Sequence, residues 1–121
     1  MKKRGKAQEK ALKLFVAGKY GQAAGLLKTI LEKDPEHPRL WLRLGDAYKK
    51  LDEKKLAAEA YKSAADGFAG AGFLVQAISC LKQVIDLFPQ DDQIHDELAE
   101  LYSMRGMNYN RPDKVAQDVV A

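Results

Sequence analysis

Between Pro38 and Ala64 the apolar and small residues return at intervals of three and four. Trp41, Leu44, Gly45 and Tyr48 fall along one stripe of a helix, with Gly45 as the gap that lets another helix come close. Ala57, Tyr61 and Ala64 repeat the device on a second helix, and Asp52 is placed to cap that helix with its carboxylate. Trp41 is expected to be the side chain that matters most to this unit. Two short helices, each apolar on one side and joined by a tight turn, predict a helical hairpin. The same spacing continues on either side. Ala7, Ala11 and Leu14 predict a helix over about residues 6–17 that Gly18 breaks, and Ala23, Leu27 and Ile30 predict a second that Pro35 closes. Ala77, Leu81 and Val84 mark a fifth helix ending before Pro89. His95, Leu98, Ala99 and Tyr102 mark a sixth, about 91–104, with Asp91 as its N-cap. The pattern predicts an all-α chain of six antiparallel helices in one domain over residues 1–106. Its hairpins run over about 4–35, 38–69 and 72–106. Residues 107–121 form a C-terminal tail, read as a loop over 107–112 and a short amphipathic capping segment beyond.

The hairpin at 38–64 resembles a tetratricopeptide repeat. The family pattern, Trp-x2-Leu-Gly-x2-Tyr followed by Ala-x3-Phe and Pro, is met by Trp41, Leu44, Gly45, Tyr48, Ala57 and Tyr61, with Ala69 where the proline would fall. Residues 18–35 and 72–106 match in part, so the resemblance covers about residues 4–106. It implies a right-handed solenoid of about three repeats. Ala23 to Ala57 and Leu27 to Tyr61 each span 34 residues, the length of one repeat. Ala57 to Ala77 spans only 20. Tyr61, Ala64, Ala65 and Phe68 occupy the places of a first helix while Ala57 and Tyr61 occupy those of a second. The fourth helix thus carries two signatures, and the array is expected to be irregular there.

Charge is unevenly spread, although the chain as a whole carries only +3. Residues 1–33 hold nine Lys or Arg against two acids, and residues 73–106 hold two against six. The two ends of the array therefore differ in electrostatic sign. Cys80 is alone, so no intrachain disulfide forms, which fits a reducing compartment. No apolar run approaches a membrane span or a signal peptide, and a cytoplasmic location is expected. No cofactor or metal is expected, because His37 and His95 lie far from each other and from Cys80. Gly67, Gly70 and Gly72 belong to a helix end, not to a phosphate loop. The basic residues Lys2, Lys3, Arg4, Lys6, Lys10 and Lys13 are read as a solvated start. No aromatic platform for nucleic-acid bases accompanies them. No enzyme is expected.

The resemblance implies that first helices line a concave groove for a partner protein or peptide. By register that face includes Gln8, Leu12 and Phe15 on the first helix. On the third it includes Arg39, Leu42, Arg43, Asp46 and Lys49, and on the sixth Gln93, Asp96 and Glu100. Leu12, Phe15 and Leu42 lie off the buried stripe, so they either offer apolar surface to a partner or pack on a neighbouring helix. Some members of the family grip a chaperone's terminal carboxylate with Lys and Asn. Here Gln8, Leu12 and Arg43 stand at those places. Arg39 and Arg43, four apart on one face, suit an acidic segment instead. The expected function is a protein–protein interaction adaptor or scaffold, in bacterial signalling or motility. The alternatives are a secretion-type chaperone for an apolar partner segment and a self-associating structural module, in which the oppositely charged ends pair into a homo-oligomer.

Overall fold

The computed structural model describes residues 2–112, with side chains from Gly5 onward. Six helices run in order: α1 (Lys2–Val16), α2 (Tyr20–Lys33), α3 (Pro38–Lys50), α4 (Lys54–Gly70), α5 (Leu74–Leu87) and α6 (Asp92–Met104). Pro38 sits in the first turn of α3, where its missing amide costs no bond. The Asp91 carboxylate accepts from the Ile94 amide at 3.2 Å and caps α6 as expected. Asp52 does not cap α4. It occupies the turn itself at φ +60°, and Glu53 takes the cap position without a side-chain bond. Its place in the turn is that of Gly18, 34 residues earlier, which has φ +81°. Aspartate is among the few residues with side chains that tolerate this left-handed conformation.

The C-terminal ends of the helices are of two kinds. In four of them an amide reaches back five residues to close the helix end: Lys19 to Leu14, Glu53 to Tyr48, Phe73 to Phe68 and Met107 to Tyr102, at 2.8–2.9 Å. In the other two, Asp34 bonds Ile30 and Phe88 bonds Val84, and a proline follows each. Strict alternation of tight and proline turns would give a regular array. Instead two tight turns flank α4. Both signatures read in the fourth helix are realised: it closes one hairpin with α3 and opens another with α5.

Consecutive helices pack on one another, and α4 against α3 and α5 makes the most extensive contacts. The helices form two layers. In one, the Arg43 guanidinium of α3 lies 5.2 Å from the Phe15 ring centroid of α1, and the Lys49 amine donates to Gln83 Oε1 of α5 at 2.9 Å. In the other, α4 lies between α2 and α6. Ile94, Leu98 and Leu101 of α6 share a core cluster with Ala58, Tyr61 and Ala65 of α4. A second cluster holds Ala11, Leu27, Leu31, Leu44 and Ala60, and partly buried Trp41 and Tyr48 pack against both.

Trp41 is only partly buried, and its indole nitrogen donates to the Pro35 carbonyl at 2.8 Å. The largest fully buried side chain is Tyr61. Gly45 is what lets it lie against α3. A Cβ at residue 45 would stand 2.7 Å from Tyr61 Cδ1 and 2.8 Å from Cε1.

Gly45→Ala should destabilise the fold by about 1–3 kcal/mol in urea denaturation, since the new methyl overlaps a ring that has nowhere to go. Gly25→Ala, in α2 with nothing within 4 Å of the new methyl, should have the opposite sign and stabilise by about 0.5–1 kcal/mol through helix propensity. Equal effects at both sites would refute the close α3–α4 contact. Glu97 of α6 has its carboxyl raised above the usual range, first by burial and then by the Asp66 charge, with Lys62 opposing. Its ionised form is thus less favourable in the folded chain than in the unfolded one. Glu97→Gln should raise the melting temperature at neutral pH. That gain should shrink toward zero as pH falls below the ordinary glutamate range, where wild-type Glu97 is protonated in both states.

Candidate functional site

The α3–α5 alignment leaves a cleft of about 530 Å³ over the C-terminal end of α4. Arg39, Leu42, Arg43 and Asp46 of α3 form one wall, with His37 and Pro38 at its top. Phe73 and Gln76, at the start of α5, form the other wall, and Phe68 of α4 closes the floor. Residues three and four apart share a helix face, so 39, 42, 43 and 46 project together. The tight turn at Gly72, with φ +86°, delivers Phe73 beside them. Phe68 is buried, whereas Phe73 is 54% exposed.

The wall formed by α3 changes sign along its length. Arg39 is exposed and Arg43 half-buried, and neither makes an ion pair among the described residues. The cation–π contact with Phe15 steadies Arg43 without neutralising it. One turn further, Asp46 Oδ1 accepts from the Tyr61 hydroxyl at 2.6 Å. Burial, and then that hydrogen bond to Asp46, raise the Tyr61 hydroxyl well above the usual tyrosine range. Burial, followed by the Asp46 charge, pushes the Cys80 thiol up to about 11. A thiol held protonated in this way is a small packed side chain and a poor nucleophile.

Of the residues expected to form a groove, Arg39, Leu42, Arg43 and Asp46 meet in this cleft. Lys49 does not line it; its amine donates to Gln83 of α5 instead. Phe15 lies beneath Arg43, so it is a packing partner, while Leu12 is 45% exposed and Gln8 half-buried on α1 outside the cleft. Gln93, Asp96 and Glu100 are exposed on α6, which stands beside α4 and not beside α3, so they do not line the cleft. Phe68, Phe73 and Gln76 were not among the expected groove residues. Phe73 was legible only as part of a second-helix signature, and the one available signal was a large aromatic directly after a turn glycine.

His95 is buried, and both ring nitrogens are engaged. Nε2 lies 2.8 Å from the Pro89 carbonyl, which can only accept, so Nε2 carries the hydrogen. Nδ1 lies 2.6 Å from the Tyr109 hydroxyl. Tyr109 also stacks edge-on against Tyr102, with ring centroids 5.2 Å apart. The histidine therefore ties the loop after α6 to the turn before it. His37 lies 3.2 Å from Asp34 at the mouth of α3. Among the described residues no group of three His, Cys, Asp or Glu side chains is arranged to hold a metal ion, and no helix is long and apolar enough to cross a membrane. The segment over 113–121 lies outside the described residues.

Comparison with known proteins places the fold. The tetratricopeptide repeat family profile matches residues 9–72. No curated protein matches the chain. Among solved structures, the Yersinia enterocolitica type III secretion chaperone SycD in complex with a peptide of the translocator YopD is similar, with a TM-score of 0.51 at 19% identity. The match covers 86% of this chain and 90% of that one. An alternative dimer of the same chaperone gives 0.51 at 18% identity, covering 88% and 97%. A crystal structure of MamA gives 0.50 at 19% identity, covering 86% and 69%. With six helices, paired stripes around Gly45 and tight turns at repeat spacing, this chain belongs to the tetratricopeptide repeat family.

Proposed function

We propose that this chain is a non-enzymatic protein–protein interaction adaptor that holds a segment of a partner protein in the α3–α5 cleft. One observation carries the reading: Arg39 and Arg43, without carboxylate partners among the described residues, stand in a cleft with Leu42 and the half-exposed ring of Phe73. Unpaired guanidinium groups next to exposed apolar surface are what a desolvating partner would use, since arginine and aromatic side chains anchor interfaces. The repeat fold supports a binding role, as does the peptide bound by the similar secretion chaperone. Leu12 and Gln8 on α1 extend the same layer and belong to the proposed surface. A non-enzymatic role is supported by the engagement of Cys80 and His95 in packing.

The test uses the full chain as bait in lysate of the source cell, alongside Arg43→Glu and Leu42→Asp variants whose melting curves are checked first. A partner retained by the wild type should fall at least about tenfold with each variant, the scale of a lost interface anchor. A partner retained equally by all three would move the site off this cleft.

A further inference from the structure

A second groove runs along the opposite side of α3, between α2 and α4, and its charge is the reverse of the cleft's. Trp41, Leu44 and Tyr48 of α3, with Leu31 of α2 and Ala60 of α4, form an apolar floor. Pro35, Trp41 and Ser63 also line its continuation toward Gly70. Along α4 the groove extends from Leu56 to Gly70, about 21 Å at 1.5 Å per residue. Both rims are acidic. Glu32 and Glu36 are exposed at the end of α2 and just beyond it, and Glu59 and Asp66 are exposed on α4. None of these four carboxylates makes an ion pair among the described residues. Lys28 is the one lysine or arginine among the described residues lining the groove. The acidity reaches α6. Burial first, and then the Asp66 charge, hold the Glu97 carboxyl above its usual range, and Lys62 offsets only part of this.

The geometry points to a second docking surface: the α2–α4 groove takes a partner helix that is apolar on one face and carries lysine or arginine on both flanks. The inference stands on this groove alone and does not depend on the cleft. An apolar floor between two acidic rims asks for a segment that is apolar below and basic to either side. In an extended strand, side chains alternate between two opposite faces, so bases next to floor-facing residues would point away from the rims. On a helix, apolar residues at intervals of three and four form one stripe, and their neighbours project to both flanks. Glu59 and Asp66 lie seven residues apart on one face of α4, about 10 Å, and bases seven apart on a partner helix repeat that spacing. Arg39 and Arg43 make the cleft on the other side of α3 repel such a helix, so the two grooves select partners of opposite charge.

Trp41 is the only tryptophan in the chain, so its emission reports on the floor directly. The experiment titrates a capped, alanine-based peptide, as long as the groove when helical, into the purified full chain at about 0.1 M salt, where the Debye length is about 10 Å. The peptide carries leucine at its fourth, seventh, eighth and eleventh positions and arginine at its third, fifth, tenth and twelfth. A second peptide has glutamate in place of arginine. A third has the composition of the first, with leucine and arginine scattered around the helix. The first should change Trp41 emission saturably and bind at least about tenfold tighter than either of the others. Glu59→Lys combined with Asp66→Lys should weaken it at least about tenfold. Asp86→Lys combined with Asp96→Lys makes the same change of net charge at exposed residues outside the groove and should weaken it far less. All four positions are exposed, so melting curves should show both double variants folded. Arg43→Glu should leave binding of the first peptide in place, which separates this surface from the cleft. Equal loss in the two double variants would reduce the effect to net charge and overturn the groove. Equal binding of the scattered peptide would overturn the helix, and no saturable change in Trp41 emission with the first peptide would overturn the inference outright.

Discussion

The contact between Tyr61 and Gly45 is what the rest of the molecule depends on. A fully buried ring lies flat against a helix backbone, and only a residue without a side chain permits the approach. The closeness sets the α3–α4 distance. It also sets where α5 can lie, because α4 presents Ala57, Ala64, Ala65 and Phe68 around the same ring to a shared cluster with Ala77, Leu81 and Val84. The ring's polar tip then emerges at Asp46, on the wall of the cleft. One side chain therefore couples the interior to the surface: its body fixes the spacing of three helices and its hydroxyl fixes the charge at the site. An aromatic with a polar handle does this where phenylalanine would fill the same volume and leave Asp46 free to turn.

The double use of α4 follows from the same economy of small residues. A helix that serves two hairpins needs two apolar stripes, and α4 buries Ala57, Ala58, Ala60, Ala64 and Ala65 around Tyr61 and Phe68. Alanine buries both faces at no cost in side-chain entropy and keeps high helix propensity, so the helix remains stable while neighbours approach from both sides. The consequence is geometric. With tight turns before and after α4, the first-helix role passes from α3 in one layer to α4 in the other. The residues of first-helix type on α6 therefore stand in the layer opposite the cleft.

Much of this was legible because it is local. Stripe spacing, the turn glycines and the Asp91 cap each depend on a few consecutive residues, and all six helices stand where their stripes predict. The repeat spacing of 34 and the shortened step of 20 both reappear as turns of matching hydrogen bonds. What was not legible depends on which helices stand side by side. Grouping Gln93, Asp96 and Glu100 with Arg39 and Asp46 carried one register across the irregular helix, although the double signature itself implies a change of layer. Phe73 and Gln76 were hidden because their partner wall lies on α3, about 30 residues earlier. Trp41 misled for another reason. A tryptophan in a repeat stripe reads as core, yet its indole nitrogen needs an acceptor, and the Pro35 carbonyl that supplies one lies at the rim. Asp52 has the residue type of a cap, but the tight turn needs a residue tolerant of positive φ one place earlier, and that demand decides its position.

The charges of the cleft show why fold and site cannot be separated in so small an array. Arg39 and Arg43 are long side chains on an exposed helix face, and left alone they would be mobile and weakly selective. The Phe15 ring restrains one of them from α1, and Tyr61 restrains the opposing carboxylate from α4. Both restraints come from aromatic residues that the repeat places for packing. Positioning charge costs entropy when a partner must do it and little when the core has already done so.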